Sequence, residues 1–129
     1  MAEQATSHQF ALESLGEMSI VRLRFFGTQK VDTIRPAAAE ALALGRLNGC
    51  TRFVVDYRSC RATDTTAETY FHIANLEELG VTRSDRVAVV YGRDVDRHVF
   101  AELVAQNRGW ANMRYFTSMP TAEEWLQSA

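Results

Sequence analysis

Phe53-Val54-Val55-Asp56-Tyr57-Arg58-Ser59-Cys60-Arg61-Ala62-Thr63-Asp64-Thr65-Thr66-Ala67-Glu68 is the stretch on which the fold turns. Thr51 to Val55 reads as a short strand without clean alternation, the pattern of a central parallel strand buried on both faces. It empties into a polar connection, Asp56 to Glu68, whose end starts a helix predicted from about Thr66 to Leu79. In α/β proteins, ligands, phosphate groups and partners gather at such strand ends.

Upstream, Ser19 to Phe26 alternates. Val21, Leu23 and Phe25 fall on one face and Arg22 and Arg24 on the other, which predicts a half-buried strand. His8 to Glu13 alternates loosely, and Gly16-Glu17 reads as a turn, so the two strands form a hairpin. Ala37 to Leu47 is rich in Ala and Leu and reads as a helix, with Pro36 tolerated in its first turn. Asn48-Gly49 stops it.

Downstream, Arg86 to Tyr91 contains the apolar run Val87-Ala88-Val89-Val90, another buried strand. Asp94 is placed to cap a helix from Val95 to Asn107. Ala111 to Phe116 is a final strand. Ser118-Met119-Pro120 reads as a turn, and Thr121 to Glu124 as a capping box for a last helix. The predicted order is β-β-α-β-α-β-α-β-α. It describes a mostly parallel sheet carrying helices, with an N-terminal antiparallel hairpin at one side. All 129 residues form one domain in this reading, with residues 1–7 expected to be flexible.

The composition, 47% apolar and 23% charged, is that of a globular domain. A net charge of -2 attracts no polyanion in bulk, so nucleic acid is not an expected partner. No transmembrane segment is predicted. Met1 to Glu13 carries no apolar leader, and a reduced, cytoplasmic setting is the expectation. Cys50 and Cys60 lie on either side of a predicted strand of about five residues, roughly 17 Å long, so a bridge between them is not expected. Gly27, Gly45, Gly49 and Gly92 make no phosphate-cradling motif. His8, His72 and His98 lack metal-ligand spacing. No cofactor and no metal is expected.

Phe53-Val54-Val55-Asp56-Tyr57-Arg58, Arg86 to Val90, Phe100 followed by Asn107-Arg108-Gly109, and Tyr115-Phe116 leading to Ala122-Glu123-Glu124-Trp125-Leu126 together resemble the SpoIIAA-like superfamily. That group contains the STAS domains and uncharacterised bacterial STAS/Sec14-type proteins. The resemblance covers about Met18 to Ala129 and is closest to the uncharacterised branch. Anti-sigma-factor antagonists of the superfamily carry an Asp-Ser-Ser-Gly-type motif whose first Ser is phosphorylated by a partner kinase. On that pattern Asp56 matches the polar residue at the strand end and Asp64 matches the motif's Asp. Thr65 falls on the phosphoacceptor, Thr66 on its neighbour and Ala67 on the glycine. The Thr pair and the absent glycine are departures from the motif. The Sec14-like branch carries lipid in larger domains.

The candidate binding residues are Asp56, Tyr57, Arg58, Asp64, Thr66, Tyr91, Arg93 and His98, with Thr65 as candidate phosphoacceptor. Parallel strands bring the connections after Val55 and Tyr91 to one sheet edge, which is the argument for a site there. A phosphate on Thr65 would meet free N–H groups at a helix N-terminus, although Thr65 and Glu68 also form a plain capping box. Asp56 could position Arg58 or a ligand, or simply satisfy loop N–H groups. His98 titrates near neutrality when free, yet a lone His in a first helical turn is usually a surface or structural residue. Cys60, placed in a polar loop between Arg58 and Arg61, could have a lowered pKa.

These residues predict a non-enzymatic regulatory or protein-interaction module with a regulatory protein as partner, responsive to phosphorylation if Thr65 is a switch. The alternative is a small-ligand or lipid-binding protein with an apolar pocket under Tyr57 and Tyr91. An enzyme would require Asp56, Arg58, His98 or Cys60 to converge around a cleft. A homodimer is a plausible assembly, since closed symmetric dimers are common.

Overall fold

The computed structural model describes residues 6–128. The hairpin is formed by Thr6–Leu15 (β1) and Met18–Gln29 (β2), paired from Thr6↔Gly27 to Leu15↔Met18. Gly16 takes φ 62° in the connecting turn, a conformation open to glycine without a Cβ clash. β1 thus begins inside the segment expected to be flexible, and residues 1–5 lie outside the described ones. Val31–Leu47 (α1), Arg52–Ala62 (β3), Thr66–Ala74 (α2), Arg86–Val90 (β4), Val95–Asn107 (α3), Met113–Phe116 (β5) and Met119–Gln127 (α4) follow. A 3-10 turn, Leu76–Leu79, extends α2.

The strands stand in the order β1-β2-β3-β4-β5, antiparallel in the hairpin and parallel thereafter. The alternation read in β2 sorts the two faces. Val21, Leu23 and Phe25 pack with Phe53, Val87 and Val89 against α1. The same side carries α2 and α3, whose Ile73, Ala101 and Val104 meet Trp110 and the edge of β5. The opposite face buries Ile20, Val54, Ala88 and Val90 under Met119, Ala122 and Leu126 of α4. Three helices therefore cover one face and a single short helix part of the other.

Several element boundaries differ from the sequence reading, each for a tertiary reason. β3 runs on to Ala62 because β2 runs on beside it, from Phe26↔Ser59 to Gln29↔Ala62. The register shifts between Arg24↔Asp56 and Phe26↔Ser59, so Tyr57 and Arg58 together oppose Phe25 in a β-bulge. Most of the supposed polar loop is strand. α1 starts at Val31, well before Pro36. The Lys30 N–H donates to Thr33 Oγ1 at 3.1 Å, and the Thr33 hydroxyl donates to Gln29 Oε1 at 2.7 Å. Ile34, at 1% exposure, anchors that first turn in the core. The α-helical part of α2 ends at Ala74. Arg35 of α1 donates there to the carbonyls of His72 and Asn75 at 3.2 and 3.1 Å, accommodating the change to 3-10 geometry. α4 begins at Met119 with Ser118 as its cap, the Thr121 N–H reaching Ser118 Oγ at 3.4 Å. Pro120 sits in the first turn, where no N–H is needed.

Candidate functional site

β3 and β4 pair as far as Asp56↔Val90, where β4 ends and β3 runs on beside β2 to Ala62. The connections after them do reach one edge, as parallel strands require. Asp94 ties them together. Its backbone is left-handed, at φ 55°, and its carboxylate accepts from the Ala62 N–H at 2.9 Å. It makes no side-chain cap on α3, contrary to expectation, because the carboxylate is taken by the end of β3.

The predicted residues divide between the two faces of the sheet. Asp56 and Tyr57 are neighbours on a strand, so their side chains point to opposite sides. Asp56 lies on the α4 side and is buried. Its Oδ1 accepts from the Arg58 N–H at 2.9 Å and from Arg58 Nε at 3.0 Å, and its Oδ2 from Arg58 Nη2 at 2.9 Å. Arg24 Nε stands 3.8 Å away. Burial alone would push this carboxyl up. The Arg58 hydrogen bonds and the charges of Arg58 and Arg24 outweigh it and hold the group below the usual range. Asp56 does position Arg58, whose side chain is 43% exposed.

On the other face Tyr57, Asp64, Tyr91 and His98 come together in one buried cluster. The His98 ring is 4.7 Å from Tyr91 and nearly parallel to it, 5.0 Å from Tyr57 and 6.1 Å from Tyr115. Tyr57 also stacks on Phe25 at 5.3 Å. Arg97 is the hub. Its Nε donates to Asp64 Oδ2 at 3.2 Å, its Nη1 donates to His98 Nδ1 at 3.3 Å, and its guanidinium carbon lies 5.4 Å from the Tyr57 ring centroid. A guanidinium has only donors, so Nδ1 of His98 is the acceptor and the ring proton sits on Nε2. Asp64 also accepts from the Thr69 hydroxyl. Its Oδ1 and the Nη2 of Arg97 have no hydrogen-bond partner among the described residues.

Burial, reinforced by the Arg97 charge, pulls His98 down to about 4. It pushes Tyr57 up to about 12. His98 is therefore an internal neutral ring and not a surface titrator. Cys60 is also corrected by the structure. It lies in β3, at 3% exposure, and burial pushes its thiol up to about 12. The expected lowering by Arg58 and Arg61 does not occur, because the bulge and the strand turn the thiol into the core.

Thr65 and Thr66 are exposed at the start of α2. Thr65 is its N-cap. Thr65 Oγ1 accepts from the Glu68 N–H at 3.1 Å, and Glu68 Oε1 accepts from the Thr65 N–H at 2.7 Å, which closes the capping box read in the sequence. Arg93 is exposed in the connection before α3. Sequence reasoning missed Thr69 and Tyr115 as partners in the cluster, and it brought Arg97 to this sheet edge without a counterion. Arg97 and His98 are consecutive and about 100° apart on the helix, and only the packing of α3 on α2 makes Asp64 the counterion of Arg97.

The chemistry available is limited by this division. The sheet separates Asp56 and Arg58 from His98 and Cys60, so these four groups do not converge on one cleft. The apolar cavity against Tyr57 has a volume of about 60 Å³ and is also lined by His72 and Tyr115. Tyr91 is not among its walls. This is less than half of the roughly 150 Å³ that accommodates benzene. Among the described residues no cluster of His, Cys, Asp and Glu could hold a metal ion, and no helix is long and apolar enough to cross a membrane.

No family model matches this chain, and no curated protein matches it in sequence. Solved structures do match. An uncharacterised protein of the DUF3478 family from Shewanella loihica, described as having a SpoIIAA-like fold, superposes with a TM-score of 0.61 at 14% identity, over 98% of both chains. An anti-sigma factor antagonist from Mycobacterium paratuberculosis superposes with a TM-score of 0.60 at 11% identity, over 95% of this chain and 96% of that one. At such identities the likeness is one of architecture. The strand order, the hairpin and the helix placement seen here are those of that architecture, and the chain has the SpoIIAA-like fold.

Proposed function

We propose that this protein is a non-enzymatic regulatory module that binds a protein partner through the β3–α2 connection and the neighbouring β4–α3 connection. The observation that carries the reading is the contrast between Asp64 and Thr65. The Asp64 side chain is wholly buried and paired to Arg97, whereas the next residue presents its hydroxyl at the exposed start of α2. A rigid anchor holding an exposed tip is the arrangement a recognition surface needs. The Mycobacterium paratuberculosis protein of the same fold is an anti-sigma factor antagonist, which supports a regulatory protein as the partner class.

In this reading Thr65 is the switch. A phosphate there adds about -2 charge. It would sit at a helix N-terminus, which favours it, but beside the Glu68 carboxylate that now closes the capping box. The modification would therefore break that box and change the charge of the exposed edge. The test is intact-mass analysis of the natively purified protein with its co-purifying partners, repeated for Thr65→Ala. A phosphate that disappears in the variant supports the switch. Its absence from the native protein removes the switch and leaves the binding module. A ligand-binding reading has less support, since the cavity beside Tyr57 is small.

A further inference from the structure

A second surface adjoins the same helix. The first turn of α1 and the outer side of α2 enclose an open groove of about 460 Å³. It is lined by the apolar side chains of Val31, Ala67 and Phe71, by the buried His72, and by the carboxylates of Asp32, Glu68 and Glu78. Phe71 is 64% exposed, a high value for a phenylalanine with no functional reason to face water. Tyr70 meets its ring edge-on at 5.6 Å.

The electrostatics of the groove are one-sided. Among the described residues Arg35 is the only arginine or lysine lining it, and it is already committed. It pairs with Glu78 at 3.0 Å and donates to the His72 ring and to the carbonyls of His72 and Asn75. Glu78 is thereby neutralised, whereas Asp32 and Glu68, the latter holding the Thr65 N–H at 2.7 Å, have no ion-pair partner among the described residues and stand beside an exposed aromatic ring.

We propose that this groove binds a basic segment of a partner protein, an apolar side chain seated on Phe71 and flanking Lys or Arg side chains facing Asp32 and Glu68. The inference rests on the reading of the chain as an interaction module and names the partner chemistry. Cations would gain both the carboxylates and the faces of Phe71 and Tyr70. A second copy of this chain fits less well. The most exposed large apolar side chain among the described residues, Leu47 at 85%, adjoins Arg46, whose guanidinium is already bound to Asp85 within its own chain at 2.5 Å. Leu47 would therefore arrive without a free cation beside it.

The test is a titration of the ¹⁵N-labelled full chain with three synthetic peptides. One has the sequence Gly-Lys-Arg-Phe-Leu-Arg-Lys-Gly. The second replaces every basic residue by Glu, and the third replaces Phe and Leu by Ala. The basic peptide is expected to shift the amides of Asp32 and of Ala67 to Phe71, with an affinity that falls as salt is raised. Phe71→Ala, at an exposed site that does not threaten folding, is expected to weaken it about tenfold or more. Asp32→Asn combined with Glu68→Gln, which keeps a capping side chain on α2, is expected to weaken it and flatten the salt dependence.

No shift at the groove, or binding indifferent to Phe71→Ala, overturns the proposal. Should the acidic peptide instead shift Arg61, Arg93 and Thr65, the interaction module stands and the groove assignment falls. Concentration-dependent self-association abolished by both Leu47→Ser and Phe71→Ala would make the occupant a second copy and overturn the partner class.

Discussion

Asp64 and Arg97 meet inside the protein, Nε to Oδ2 at 3.2 Å, with side-chain exposures of 0% and 9%. One residue comes from the connection after β3 and the other from α3, so the pair joins the two segments that flank the candidate site. Removing either partner leaves a buried charge unpaired, which typically costs about 3–5 kcal/mol. Arg97→Leu and Asp64→Leu are expected to lose that much in urea denaturation. The double variant Asp64→Leu/Arg97→Met is expected to recover a good part of it. Single-variant losses below about 1 kcal/mol would mean that water solvates the pair.

Acid should destabilise the fold through its internal histidines. Burial first, then the Arg97 charge, hold His98 at about 4 and His72 at about 3, against 6.5 for a free ring. Each ring is neutral in the folded chain and gains a proton readily on unfolding. Their contribution is full above the unfolded value near 6.5 and is lost as pH falls through the window down to the folded values. The slope is at most about 1.4 kcal/mol per pH unit for each histidine. Stability curves between about pH 7.5 and pH 4.5 should show it, and His98→Phe, which keeps an aromatic ring against Tyr91 and Tyr57, should flatten it. An unchanged slope in that variant would assign the acid sensitivity elsewhere.

Thr65 has a structural task that is separable from any phosphate. Thr65→Ala removes the acceptor of the Glu68 N–H and is expected to cost about 1 kcal/mol, whereas Thr65→Ser keeps the cap and should be nearly neutral. Thermal or urea unfolding measures this directly. A loss of regulation in Thr65→Ser as large as that in Thr65→Ala would argue against a simple hydroxyl acceptor.

Gly45 carries a constraint that its helical position conceals. Inside α1 a Gly→Ala change normally gains about 1 kcal/mol. Here an added Cβ would stand 2.7 Å from two ring atoms of Phe53. Gly45→Ala is therefore expected to destabilise by about 1–3 kcal/mol, and Phe53→Leu in the same chain should relieve part of the penalty. Stabilisation by Gly45→Ala alone would show that α1 can move off the sheet at no cost.

The legible parts of this fold are those written in local pattern. Val21, Leu23 and Phe25 announce the buried face of β2 by period two, and Thr65 and Glu68 announce the start of α2 by their spacing of three. The length of β3 was not legible. Ser59 to Ala62 are polar or small, and they are strand because β2 offers them a partner as far as Gln29. Cys60 was misplaced for the same reason.

The candidate site was half legible. Its address, the ends of two parallel strands, follows from element order, and so did the residues to be weighed there; that these two strands are neighbours is decided by the strand order of the folded sheet. Their division into an Asp56–Arg58 pair on one face and a Tyr57–Tyr91–His98 cluster on the other depends on pleat and bulge together.

The sequence by itself determined the order of the elements, the core face of β2 and the cap of α2, because periodicity and capping act between residues a few positions apart. The tertiary structure decided the extent of β3, the burial of His98 and Cys60, and the choice of Arg97 as counterion to Asp64. Those depend on which surfaces meet after the chain has closed, and neutralising a buried charge requires a partner brought from 33 residues away.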